Sequence, residues 1–228
     1  MKLIAVLILC SLCLPAAAQT PPARPREGVL TLDAQASAEV PLDIATLTLV
    51  TDAEDKNPER LAQTVDRTLA ATLKEAKTEP KVSARSGGYR SFPATDKDGH
   101  ITAWRAHAEI VVESRDFETL SALAGRLARR MQVGGIRFSL SPQARKAEED
   151  RLITQAIARF QARAQLAAKS FGYPHYSLLE VQVQTQSAAP PRPFMASAMR
   201  AAEATPVPIE GGRTTVSVTV SGSVKLER

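Results

Sequence analysis

Near the C-terminus the side chains alternate with period two. Thr214, Val216, Val218, Val220, Val224 and Leu226 fall on one side of an extended chain, and Thr215, Ser217, Thr219, Ser221 and Lys225 fall on the other. Successive strand residues point to opposite faces, so this segment can bury its valines only as a strand with one face on a core. A second run repeats the pattern. Trp104, Ala106, Ala108, Ile110 and Val112 share one face, while Arg105, His107 and Glu109 share the other. Strands of this kind belong to antiparallel sheets whose second face meets solvent or a partner. The fold therefore has to cover one side of its sheet and can leave the other bare.

Helical stripes supply the cover. Asn57 can cap a helix, Pro58 suits its first position and Glu59 favours its positive end. Leu61, Val65, Leu69, Leu73 and Ala76 then recur at helical spacing, and Pro80 closes the element. Ser114 or Asp116 opens a second helix striped by Phe117, Leu120, Leu123, Ala124, Leu127 and Met131, which Gly134-Gly135 is expected to stop. Ser141-Pro142 opens a third, reaching Phe171-Gly172, with Leu152, Ala156, Ile157, Phe160, Ala164 and Ala167 on its apolar face. At about 1.5 Å per residue that helix is ~45 Å long. It either breaks near Glu148-Glu149-Asp150 or projects beyond the sheet.

Extended runs fill the intervals. They cover Val29 to Ala34, Ile44 to Asp52, Val82 to Phe92, Ile101 to Glu113, Ile136 to Leu140 and Leu179 to Gln184. Asp98-Gly99 marks a hairpin between the third and fourth. Ser86-Gly87-Gly88 reads as a bulge or a close backbone approach. The order is strand, strand, helix, strand, strand, helix, strand, helix, strand, strand. Its middle matches the split strand-helix-strand repeat of ferredoxin-like folds. The fold class is α+β: one largely antiparallel sheet with three helices packed on one face.

The N-terminus reads as a segment that is cut off. Lys2 gives a positive start, Leu3 to Leu14 is apolar, and Pro15-Ala16-Ala17-Ala18 offers small residues for cleavage. Residues 1–18 are thus a secretory signal peptide, and residues 19–27, with three prolines, are a flexible leader. Both cysteines, Cys10 and Cys13, leave with the signal, so the mature chain has no disulfide. Leu9 and Leu12 precede them, where a lipoprotein signal needs a small residue. No later stretch is a transmembrane segment. The expected location is the bacterial periplasm, with residues 28–228 as a single domain. The net charge of +5 falls to +4 without Lys2 (28 basic, 24 acidic). Its basic residues are scattered among acids, which points to a solvated surface and not to nucleic acid.

The chain resembles the SIMPL (DUF541) family of exported bacterial proteins, described as periplasmic immunogenic or oxidative-stress-related. The matching features occur in order. A Gly-led first strand from Gly28 precedes Pro41-Leu42-Asp43-Ile44-Ala45, and the hairpin at Asp98-Gly99 sits among the central strands. Gly134-Gly135-Ile136-Arg137-Phe138 follows the second helix, and an Ala-rich helix ends in Phe171-Gly172-Tyr173. Pro206-Val207-Pro208-Ile209-Glu210-Gly211-Gly212 then leads into the Val-rich last strand. Many members open the fourth strand with Gly-Tyr, where this chain has Ala103-Trp104. The family has no agreed catalytic residues, so the resemblance implies fold and compartment and no activity.

Candidate sites are few. His100 falls in a turn and His175 in a loop, and both read as surface residues. No histidine pair has metal-ligand spacing and no Gly-x-Ser-x-Gly elbow occurs. Catalytic residues, cofactors and metals are therefore not expected, nor is an enzyme. Arg105, His107 and Glu109 form a possible ligand face, with an ion-paired surface cluster as the plainer reading. The Pro- and Ala-rich stretch 187–212 is a long loop, in which Phe194, Met195 and Met199 form a possible subunit contact. The expected function is that of an exported, non-enzymatic homo-oligomer with an envelope structural or stress-protective role, for which an envelope component is a possible partner. The alternative is a binding module for a small molecule or envelope polymer.

Overall fold

The computed structural model describes residues 28–187 and 210–228. Ten elements follow in the expected order: β1 (Val29–Pro41), β2 (Ile44–Asp55), α1 (Pro58–Ala76), β3 (Val82–Thr95), β4 (Ile101–Ser114), α2 (Phe117–Leu127), β5 (Gln132–Ser139), α3 (Pro142–Ser170), β6 (His175–Ser187) and β7 (Arg213–Glu227). Each helix begins at the cap its sequence offers. The Asn57 side chain accepts from the amides of Glu59 and Arg60, Asp116 accepts from Thr119, and Ser141 accepts from Ala144. The fold is α+β, with antiparallel strands and three helices.

The expected lone sheet is in fact two. One has the order β1-β7-β6 and the other β3-β4-β2-β5. β1 and β2 are consecutive yet do not pair. β1 runs beside the last strand instead, from Val29 opposite Lys225 to Pro41 opposite Arg213. The four-stranded sheet holds β2-α1-β3-β4-α2-β5, the split repeat read from the sequence. The helices divide accordingly. α3 covers the three-stranded sheet, with Leu152, Ala156, Phe160 and Ala164 packed on Ala34, Ala36, Val216, Val218, Val220 and Val224. α1 and α2 cover one face of the other sheet, where Leu120, Leu123 and Leu127 meet Leu47, Leu49, Ile110 and Val112, and Leu61 and Val65 meet Ala106 and Ala108. Period two shows which face is buried but not which strand lies alongside, and that is why the partition escaped the sequence.

Two further details differ. α2 ends at Leu127, and Gly134-Gly135 lies inside β5 instead of stopping the helix. Gly134 is the extra residue of a bulge, since Gly135 opposes Thr48 and Val133 opposes Leu49. A Cβ there would stand 2.9 Å from Val50 Cγ1. α3 is continuous through its acidic cluster, and its buried face takes Ala168 while Ile157 is 37% exposed.

The two sheets meet at the turn after β1. Leu42 N donates to Gly212 O (3.0 Å) and Asp43 N to Ser139 O (3.1 Å). The Asp43 carboxylate accepts from both the amide and the hydroxyl of Ser141, each at 2.6 Å. Phe138 packs against both cores and meets Phe117 edge-on at 5.4 Å. Among the described residues no helix is long and apolar enough to cross a membrane.

Candidate functional site

The uncovered face of the four-stranded sheet carries the charged cluster. Its register assembles it: β2 sets Asp52 opposite His107 and Glu54 opposite Arg105, and β3 sets Arg90 opposite His107. Because one face of each strand is pinned to the helices, these residues all project the other way. Arg105 Nε donates to Glu54 Oε2 at 2.7 Å. His107 has Nδ1 2.8 Å from Asp52 Oδ1 and Nε2 3.2 Å from Glu109 Oε1. The bond to Asp52, then that to Glu109, holds the imidazole pKa above its ordinary value, against the opposing effects of partial burial and of Arg90. Protonated, His107 donates to both carboxylates.

Glu109 fits there because β3 bulges over it. The register slips between Ser86 and Tyr89, and Gly87-Gly88 fills the gap. A Cβ on Gly87 would lie 2.9 Å from Glu109 Cβ. The bulge expected from the sequence therefore makes room for one arm of the cluster.

Arg105, His107 and Glu109 are thus brought together on one face. The sequence reading missed Asp52, Glu54 and Arg90. Asp52 and Glu54 continue the polar positions of β2, so the alternation held a signal, but only the cross-strand register names their partners. Both ring nitrogens of His107 are taken by carboxylates, so no serine is activated there. The cluster can hold polar and charged groups of a ligand by exchanging these partners. Exposed ion pairs of this kind are worth about 0–1 kcal/mol, against about 1.5–3 kcal/mol for burying a core valine. The charged face is therefore not what holds the sheet together.

The other candidates separate. His175 is the first residue of β6, an exposed strand position and not a loop. His100 lies in the hairpin turn, where Asp96, Asp98 and His100 can each bring one ligand atom within 4.8 Å of the others. All three are exposed, and Asp96 already accepts from the amides of Asp98 and His100, each at 2.9 Å. Phe194, Met195 and Met199 lie outside the described residues, as do residues 1–27. An open cleft of about 640 Å³, away from the His107 cluster, is lined by Lys81, Arg115, Asp116 and Phe117. Lys81 Nζ sits 2.7 Å from Asp116 Oδ2. That bond and the Thr119 amide hold the Asp116 carboxyl at about 2.

Comparison with known proteins gives a family and no activity. No curated protein matches the chain. A solved structure, that of AtUAH in complex with glyoxylate, is 12% identical over 57% of this chain and 34% of its own, with a TM-score of 0.21. The chain thus spans about a third of that protein's length, and a likeness at that score carries no argument. The profile of SIMPL, "Protein of unknown function (DUF541)", matches residues 30–224, which takes in both sheets and all three helices. The chain belongs to the SIMPL (DUF541) family.

Proposed function

We propose that this chain is an exported, non-enzymatic protein that works as an assembly of its own copies, with a structural or stress-protective role in the bacterial envelope. The observation that carries the reading is β6. It is the outer strand of its sheet, and Leu178, Leu179, Val181 and Val183 are 53%, 43%, 44% and 43% exposed. Apolar side chains gathered on a sheet edge mark a contact surface or an aggregation hazard. The signal-like residues 1–18 support export, and the self-compensated His107 cluster fits a protein without a catalytic centre. Light scattering on the purified protein at high micromolar concentration tests the reading: multimers are expected, and a strict monomer would sink it. For the stress role, a deletion strain challenged with peroxide should lose viability faster than its parent. Equal survival removes that part of the reading.

A second reading rests on the charged face, where Arg105, His107 and Glu109 converge with Asp52 and Glu54. On this view the protein binds a small polar molecule or an envelope polymer. Thermal-shift screening against periplasmic metabolites and cell-wall fragments separates the two. A stabilising hit that Arg105→Ala abolishes favours binding, and a hit that survives the substitution places the ligand elsewhere.

A further inference from the structure

Among the described residues the two sheets have four outer edges, and three are obstructed. On β1, the Gly28 carbonyl accepts from Leu226 of β7, so the carbonyls of opposite parity point away from β7, those of Asp33, Gln35 and Glu39 among them. Arginines occupy these three, along the middle of the strand. Arg163 donates to Asp33 O, Arg159 to Gln35 O at 2.7 Å and Arg213 to Glu39 O at 2.8 Å. β3 is interrupted by the Gly87-Gly88 bulge and Pro93. β5 is only eight residues long and bulges at Gly134. Charged side chains, proline, bulges and short length are the devices that stop one sheet from adding to another.

β6 is different. Its one bulge lies between Leu178 and Glu180, and from Glu180 to Ser187 it pairs with β7 without slipping. That stretch, Glu-Val-Gln-Val-Gln-Thr-Gln-Ser, holds no proline, glycine, lysine or arginine. Its outer side faces no other strand among the described residues. Val181 and Val183 oppose Gly222 and Val220, so they lie on the α3 side of the sheet. α3 leaves both more than 40% exposed.

The segment is also complementary to itself. Laid antiparallel about a two-fold axis at Gln182, Val181 of each copy opposes Val183 of the other, on the apolar face. Glu180 opposes Gln184, so the two acids are kept apart. Moving the axis to Glu180 would set like charges directly opposite, which is destabilising. Moving it to Val183 would replace the two Val181–Val183 pairs by a single valine pair.

We infer that β6 is the assembly edge of this protein: it pairs antiparallel with β6 of a second copy about Gln182, joining two three-stranded sheets into one of six strands. The inference rests on the self-association reading above and names its surface and register.

Site-directed cross-linking tests it, because the only native thiols are Cys10 and Cys13. The probe is the full chain with Cys10→Ser and Cys13→Ser, carrying Gln182→Cys. Antiparallel neighbours stand about 4.5–5.5 Å apart at Cα, within disulfide reach, so mild oxidation should convert most of the chain into a covalent dimer. Gln186→Cys is the register control. The proposed axis sets its two copies about 27 Å apart, so it should stay uncrosslinked. Separately, Val181→Lys with Val183→Lys should give a monomer at concentrations where the parent assembles, with an unchanged circular dichroism spectrum. If the parent assembles but Gln182→Cys does not cross-link and the lysine variant still assembles, the inference falls and self-association through another surface stands. The β6 edge would then belong to another occupant, residues 188–209 or a different protein. A parent chain that is monomeric throughout overturns both. Cross-linking at 186 equal to that at 182 overturns the register.

Discussion

His107 and Asp43 show how single side chains are tuned by the strands beside them. Two carboxylates raise the His107 pKa, so its imidazolium stabilises the fold fully below about 6.5, the ordinary value, and that contribution fades as pH rises through the native pKa. Proton NMR should place the His107 titration above 6.5, and Asp52→Asn should lower it; a titration at or below the ordinary value would contradict the geometry. Asp43 works in the opposite direction. Burial pushes its carboxyl up, but the Ser141 hydroxyl and amide, with Arg115, outweigh that and hold it below the ordinary range. Its contribution is therefore present above about pH 3.9 and is lost as pH falls through the native value. Asp43→Ala should cost about 2 kcal/mol, the scale of hydrogen bonds to a charged group. Chemical denaturation should show Asp43→Ala and Ser141→Ala to be less than additive, since they remove one shared interaction. The sequence displayed Asp43 as part of a family pattern. Its partner Ser141 lies 98 positions away, and only the folded chain shows it.

At the scale of elements, local chemistry was legible wherever a local rule acts. Asn57-Pro58, Asp116 and Ser141-Pro142 start their helices because a cap needs only the next few amides. Gly134-Gly135 was misread for the complementary reason. A glycine pair after a helix looks like a stop, but its role is set by Val50 on the neighbouring strand. Gly222 behaves in the same way. A Cβ there would stand 2.3 Å from Glu180 O, against a backbone held by the β6–β7 pairing. Gly222→Ala should therefore force the two strands apart and destabilise the protein by about 1–3 kcal/mol, read as a lower denaturation midpoint and faster hydrogen exchange along β6. An unchanged midpoint would mean that this edge yields freely. Exposed Gly99 has φ +87° and nothing within 4 Å, so there glycine serves the turn and not a close approach.

For the whole molecule, two sheets, each with its own core, are joined at one seam. Phe138 packs on both cores, and the Leu42–Gly212 and Asp43–Ser141 bonds tie one sheet to the other. Calorimetry should thus give a single unfolding transition. Phe138→Ala should lower it by about 3 kcal/mol, the low end for losing a core aromatic because the ring is only partly buried. Two transitions would show that the sheets unfold independently. By itself, the sequence determined the element order, the helix caps, the core-facing side of β1, β4, β5 and β7 and the family, because periodicity and capping are read within a few residues. The division into two sheets, the pairing of the first strand with the last, the partners of His107 and the outer position of β6 in its sheet were decided only in the tertiary structure. Each depends on which strand lies beside which, and alternation along a strand fixes the face that is buried without naming the neighbour.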